Sequence, residues 1–111
     1  RKHVIIEAHT DVLKEMRRRG WHERPGVSVL SGRWQDVVPS LSGAFDAIFF
    51  DTWEESYADL RALFPQLRRL LSPGGRFSFF NGFASFDIFY HAVCCRMAQE
   101  DLRDAGLDCG F

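Results

Sequence analysis

Four places along the chain carry side chains capable of chemistry, and three of them lie where an apolar run gives way to polar residues. Glu7 closes Val4-Ile5-Ile6. A carboxylate there accepts two hydrogen bonds at once, which suits the paired hydroxyls of a ribose in nucleotide-binding α/β folds. A solvated helix-entry charge beside Thr10 is the plainer alternative. Asp51 closes Phe45-Asp46-Ala47-Ile48-Phe49-Phe50, where apolar residues carry the segment into the core before an acid emerges at its carboxyl edge. On pattern alone, a site role for Asp51 and a capping role for the next helix stand level. Trp34 and Gln35, in Ser31-Gly32-Arg33-Trp34-Gln35-Asp36-Val37, offer an indole to stack on an aromatic base and an amide to hydrogen-bond it; a Trp packed under a loop is the commoner fate of such a residue. Glu54 and Glu55 could hold a guanidinium by paired charge-assisted bonds, or answer a helix dipole as first-turn acids.

Strands and helices must alternate to put these residues at one edge. Residues 4–6 read as a strand buried on both faces. A helix follows, with Thr10 as N-cap, Val12, Leu13 and Met16 on one face, and Gly20 as its stop. Residues 27–30 form a second strand after Pro25-Gly26, and residues 45–50 a third after Ser42-Gly43. Tyr57, Leu60, Phe64, Leu67 and Leu71 recur at helical spacing, with Pro65 expected to kink or split the helix. Ser72-Pro73-Gly74-Gly75 predicts a tight turn into a strand at residues 77–80. A last helix carries Phe86, Phe89, Tyr90, Val93, Met97 and Leu102 on its apolar stripe up to Gly106, and a final strand begins near Leu107. The order β-α-β-β-α-β-α-β predicts a mostly parallel α/β sheet with functional residues at the carboxyl ends of its strands.

Composition removes several classes. The 111 residues carry 14 Lys and Arg against 15 Asp and Glu, a net charge of −1, so no whole-molecule attraction to nucleic acid is expected. Arg17-Arg18-Arg19 with Arg24 reads as the solvated carboxyl end of the first helix rather than as a phosphate patch. Apolar runs are far shorter than the ~20 residues of a membrane helix, so no membrane partner is expected. Cys94, Cys95 and Cys109 include no C-x-x-C pair, and His3, His9, His22 and His91 lack ligand spacing, so neither a disulfide framework nor a metal is assigned. Cys94 and Cys95 read as core rather than as nucleophiles, and a reducing compartment is the simpler setting. None of the nine glycines forms Gly-x-Gly, so a glycine-rich phosphate or cofactor loop is not written in these residues. The opening Arg1-Lys2-His3, without an initiator methionine, suggests a piece of a longer polypeptide.

Taken together, His3-Val4-Ile5-Ile6-Glu7-Ala8-His9, Gly32-Arg33-Trp34-Gln35-Asp36-Val37, Phe45-Asp46-Ala47-Ile48-Phe49-Phe50-Asp51-Thr52 and residues 71–82, from Leu71-Ser72-Pro73-Gly74-Gly75 to Phe79-Phe80-Asn81-Gly82, resemble in order and spacing the S-adenosylmethionine-dependent guanidino N-methyltransferases. Within that group the wording is most similar to the branch that modifies the δ-nitrogen of protein arginine in fungi. The guanidinoacetate methyltransferases are its metabolic relatives. The resemblance implies a Rossmann-like class I methyltransferase fold lacking its first strand-loop-helix unit, with residues 1–111 as one partial catalytic domain. It implies that Glu7, Ala8 and His9 hold the ribose of S-adenosylmethionine, that Trp34 and Gln35 line its adenine, and that Asp51 stands between cofactor and guanidino group, with Glu54 or Glu55 in support. Gln35 stands where the guanidinoacetate branch carries Glu, which leans toward the protein-arginine branch. The family's glycine loop and its upstream substrate-clamping acid have no counterpart in these residues and are expected before Arg1, so the isolated piece is expected to be inactive.

The reaction so implied is methyl transfer to a protein arginine, in the cytoplasm and also the nucleus, with guanidinoacetate as the alternative acceptor. A receiver-like domain phosphorylated at Asp51 is a rival from another class, but it needs a lysine after a later strand, and Lys2 and Lys14 are the only lysines. A non-catalytic interaction piece is the third reading.

Overall fold

The computed structural model describes residues 1–52, 56–80 and 87–108, which fall into two compact units, Arg1–Leu41 and Ser42–Phe111. The first contains β1 (His3–Glu7), α1 (Thr10–Arg18), β2 (Val27–Ser31) and α2 (Trp34–Val37), with 3₁₀ turns at Trp21–Glu23 and Val38–Ser40. β1 and β2 pair in parallel, from His3 opposite Val27 to Glu7 opposite Ser31. Val4, Ile5 and Ile6 are all half-buried, as a β-branched run covered from both sides would be. Leu13 is the buried residue of α1, whereas Val12 from the same expected face is 43% exposed.

The N-cap of α1 is His9 rather than Thr10: its Nδ1 accepts from the Asp11 N–H at 3.2 Å, and Thr10 becomes the first helical residue. The imidazole nitrogen supplies the acceptor that a hydroxyl one residue later would have offered, so the helix starts one residue earlier. At the other end of α1, Arg18 and Arg19 both pair with Glu15, one turn back on the same helix. The basic run is thus the solvated helix end that its position suggested.

The second unit contains β3 (Phe45–Phe50), α3 (Tyr57–Leu70), β4 (Leu71–Phe79) and α4 (Ile88–Asp104). β3 and β4 are parallel, and α3 is the crossover between them. Every strand pair among the described residues is therefore parallel, in keeping with the α/β expectation. Ser72-Pro73-Gly74-Gly75 is not a turn ahead of the strand but a bulge inside it. Phe45 pairs with Leu71 and Ala47 with Arg76, so β4 spends five residues where β3 spends two. Gly74, at φ 78°, supplies the left-handed residue that this detour needs. Ser72 Oγ ties it back to β3, donating to the Phe45 carbonyl at 3.2 Å and lying 2.9 Å from Asp46 Oδ1.

α3 runs unbroken through Pro65. An interior proline costs about 3 kcal/mol by removing one helical hydrogen bond and crowding the previous turn. Leu60, Leu63, Phe64, Leu67 and Leu70, all buried, offset it: at about 2 kcal/mol each they contribute on the order of 10 kcal/mol. Phe64 meets Phe77 of β4 edge to face at 6.2 Å, and Phe77 stacks on Phe79 at 5.8 Å. In β3, Phe49 is 64% exposed between half-buried Ile48 and Phe50.

α4 turns a different face to the core than its large residues suggest. Cys94, Ala98 and Leu102 are buried, whereas Phe89, Tyr90, Val93 and Met97 are exposed. Small side chains at positions 94 and 98 let the helix axis come close, so this narrow stripe packs and the bulky one stays outside. Cys94 is indeed core, and Cys95 is half-buried with its Sγ 3.5 Å from His91 Nε2. The strand expected near Leu107 is absent over Leu107 and Asp108, where the Leu107 N–H instead closes the helix end on the Leu102 carbonyl at 2.9 Å. The rest of that segment, Cys109 included, lies outside the described residues.

Candidate active site

The carboxyl ends of β1 and β2 lie side by side because the two strands are parallel and in register, and this gathers five of the candidate residues in the first unit. Glu7 ends β1. Its Oε1 accepts the His9 N–H at 2.8 Å, so the carboxylate braces the turn into α1 while Oε2 remains to accept from a ligand. Ala8 sits exposed between them. Because His9 Nδ1 accepts from Asp11, the neutral ring carries its proton on Nε2, which is left as a donor.

The link from β1 to the tryptophan turn is made by Gly32. Its N–H donates to the Glu7 carbonyl at 3.0 Å, holding the start of the Gly32-Arg33-Trp34-Gln35 turn against the end of β1. Gly32 sits at φ 147°, and a Cβ there would stand 3.1 Å from Val37 Cγ2. Only glycine takes that backbone with so little room. Trp34 and Gln35, both half-buried, are then the first two residues of α2, and Gln35 Oε1 is shielded from solvent. Gly32 is a structural residue of the candidate site that pattern reading left without a role; a glycine directly after a strand that ends beside an acid was the available signal.

Asp51 follows β3 directly in the second unit and is exposed. Its alternative role as a helix cap is removed, since α3 is capped by Ser56. The Ser56 Oγ accepts the Asp59 N–H at 3.4 Å, and Asp59 Oδ2 accepts the Ser56 N–H at 3.1 Å, a reciprocal capping box. Glu54 and Glu55 lie outside the described residues; the first-turn acid of α3 is Asp59. Among the described residues, no helix is long and apolar enough to cross a membrane, and no three His, Cys, Asp or Glu side chains gather as metal ligands.

Parallel strands joined through helices, with a carboxylate at the carboxyl end of β1 and an indole and an amide just after β2, place the chain among the mixed α/β proteins. The model of the guanidinoacetate N-methyltransferase family matches residues 1–101, and the chain belongs to that family. It is 48% identical to protein arginine N-methyltransferase 2 of Aspergillus oryzae, over 96% of this chain and 27% of that protein. It is 44% identical to the protein of the same name from Yarrowia lipolytica, over 96% of this chain and 23% of that one. The match to that of Saccharomyces cerevisiae is 37%, over 99% and 28%. The chain thus spans about a quarter of the length of the curated relatives it matches.

Proposed function

We propose that the protein transfers a methyl group from S-adenosylmethionine to a guanidino nitrogen of arginine in a protein substrate. The observation that carries this reading is the convergence of Glu7, His9, Trp34 and Gln35 at the joined ends of β1 and β2, on a backbone tied together by the Gly32 N–H. The names of the relatives support the arginine acceptor. On this reading residues 1–111 are part of a Rossmann-like class I methyltransferase domain whose first strand-loop-helix unit is supplied by other residues. The protein works in the cytoplasm and nucleus, and neither nucleic acid nor membrane is its partner.

The donor set fits the nucleoside half of that cofactor. A carboxylate retains acceptor sites after one bond to the His9 N–H, so Glu7 can take the ribose hydroxyls. Trp34 offers an aromatic face for adenine, with the Gln35 amide beside it. The cofactor, when bound, supplies a methyl group already activated by its sulfonium. What remains for the protein is to prepare the nucleophile. A guanidinium has a pKa above ~12 and spreads its lone pairs over three nitrogens, so a carboxylate must orient it and hold positive charge on the nitrogens that do not react. Asp51, exposed at the carboxyl end of β3, is the residue assigned to that work, with Glu54 or Glu55 supporting.

In the full-length protein, Asp51→Asn should lower kcat by about 10²–10³, the usual cost of removing one charge-stabilising group, with melting unchanged. Near-normal turnover would end this reading. The family description favours a second acceptor, guanidinoacetate. That molecule brings its own carboxylate and needs a cation, for which Arg33 and Arg76 are the nearby candidates in sequence, both exposed. Labelled cofactor supplied with guanidinoacetate or with a lysate separates the two: label in protein is expected, and label only in creatine would replace this assignment.

A further inference from the structure

The carboxyl end of the β3–β4 pair brings an aromatic side chain to Asp51. In the register Phe49 is opposite Ser78, both exposed, and Phe50 is opposite Phe79, both half-buried. The Phe80 N–H donates to the Phe50 carbonyl at 3.0 Å, which carries the ladder one residue further and sets Phe80 across from Asp51. Asp51 and Phe80 are again both exposed, so the alternation of the two strands runs on through this last pair. Phe80 is 58% exposed, and Phe49, two residues before Asp51, is 64% exposed. Large apolar side chains left this open at a strand end, next to a carboxylate, are a feature that cofactor binding at β1 and β2 does not use.

A carboxylate alone attracts any cation, and an aromatic ring beside it narrows the choice. Guanidinium is planar and weakly hydrated, so it stacks on an aromatic face, which attracts its charge. An arginine side chain also brings an apolar stem, which lies along apolar surface while the charged head stays paired. Guanidinoacetate has only a short stem that ends in its own carboxylate, and both Asp51 and the negative face of a ring repel that group. Acid and ring together therefore match the arginine side chain in charge, in planarity and in apolar length.

Resting on the assignment of Asp51 to the guanidinium, we propose that Phe80 is a substrate-contact residue, its ring holding the stem and guanidinium plane of a protein arginine against the Asp51 carboxylate and so favouring that acceptor over guanidinoacetate. Phe80→Leu in the full-length protein keeps apolar bulk and removes the aromatic face. With labelled cofactor and lysate protein as acceptor, it should raise the apparent KM for protein ~tenfold and leave kcat within about twofold. Phe80→Tyr keeps the ring and should stay near wild type. Cofactor Kd should be unchanged in both, because the cofactor is assigned to the ends of β1 and β2. Phe49→Leu is the control, since it lies two residues further from the edge, and it should leave KM within about twofold. If Phe80→Leu lowers melting but not the affinity for protein, or if Phe49→Leu raises KM equally, the rings serve the fold rather than the substrate and the proposal is overturned. Should Phe80→Leu not fold, Phe80→Met, whose unbranched chain fills irregular space, takes its place in the same comparison. Asp51→Asn measured in parallel separates the two ideas. If it is inactive while Phe80→Leu is normal, only the role of Phe80 fails; if it turns over normally, or if label enters only creatine, both fall.

Discussion

Among the described residues, the buried apolar ones of Arg1–Leu41 are Leu13 and Val38, whereas those of Ser42–Phe111 are Leu60, Leu63, Phe64, Leu67, Leu70, Cys94, Ala98 and Leu102. Both units are built on a parallel strand pair. The first gives its ordered contacts to polar atoms at the strand ends: Glu7 to His9, His9 to Asp11, Gly32 to Glu7. The second concentrates its contacts where α3 and α4 bury their side chains, and it presents Asp51 beyond the end of a strand whose neighbours are aromatic. A strand edge rich in polar contacts thus comes with a thin core, and an exposed acid at a strand end with a thick one.

The largest test of that contrast is on stability. Leu67 is fully buried in α3 and Leu13 is 8% exposed in α1. Leu67→Ala should cost about 4 kcal/mol, near the upper part of the range for core truncations, and Leu13→Ala about 2 kcal/mol. Urea unfolding of the two variants measures the difference. Equal losses would mean that Leu13 is covered as thoroughly as Leu67 and that the two units do not differ in this way.

The same contrast explains how much of the molecule was legible from its residues. β1, β2 and β3 lie where β-branched and aromatic runs end at glycine or an acid, because local composition decides a short parallel strand. α3 was legible as a helix, but its continuity through Pro65 depends on five buried partners that the proline itself does not announce. α4 misled for a related reason. Its bulky residues suggested one stripe, and the packed stripe is the one whose small Cys94 and Ala98 allow close approach, with Leu102 common to both. At the candidate site, the placement of Glu7 and Asp51 at the ends of β1 and β3 could be read from the sequence, but pattern alone left the role of each open. The role of Gly32 could not, since it depends on a backbone angle and on the distance to Val37, and neither is written in residue type. Tyr57 read as one more apolar position until Asp101, far along the chain, supplied its partner.

A finer test pits two glycines against each other. Gly32 and Gly74 both have positive φ, at 147° and 78°, but a Cβ on Gly32 would crowd Val37 Cγ2 at 3.1 Å, whereas nothing lies within 4 Å of one on Gly74. Gly32→Ala should cost on the order of 2 kcal/mol in backbone strain, and it moves the N–H that Glu7 receives, so cofactor affinity should fall several-fold. Gly74→Ala should cost about 1 kcal/mol and leave cofactor affinity alone. Titration calorimetry with the cofactor, set beside melting of the same two variants, reads both quantities. Equal loss of affinity at the two positions would mean that strain anywhere in the fold reaches the cofactor, and that the first unit is not specialised for holding it.

The smallest expected effect concerns charge. Two basic neighbours, Arg18 ahead of Arg19, hold the Glu15 carboxyl at about 2, below its ordinary 4.5, while burial pulls weakly the other way. The direction sets the pH window. A carboxylate with a depressed folded value stabilises the fold above 4.5, and that contribution fades as pH falls toward 2, where the group takes up its proton. All three side chains are on the surface of α1, so water and salt screen the pairing heavily. The Glu15 carboxyl signal, followed by NMR, should therefore titrate well below 4.5 in dilute buffer and move upward in about 0.5 M salt, where the Debye length shrinks to a few Å. Glu15→Gln should lower stability at neutral pH only slightly, and less in salt than in dilute buffer. This sharpens the contrast with Asp101, whose partner hydroxyl is half-buried: salt should leave the Tyr57 bond in place while it loosens the Glu15 pair. A Glu15 midpoint near the ordinary value at low salt would show that the two arginines do not hold the carboxylate, and that the electrostatics of α1 are those of independent surface charges.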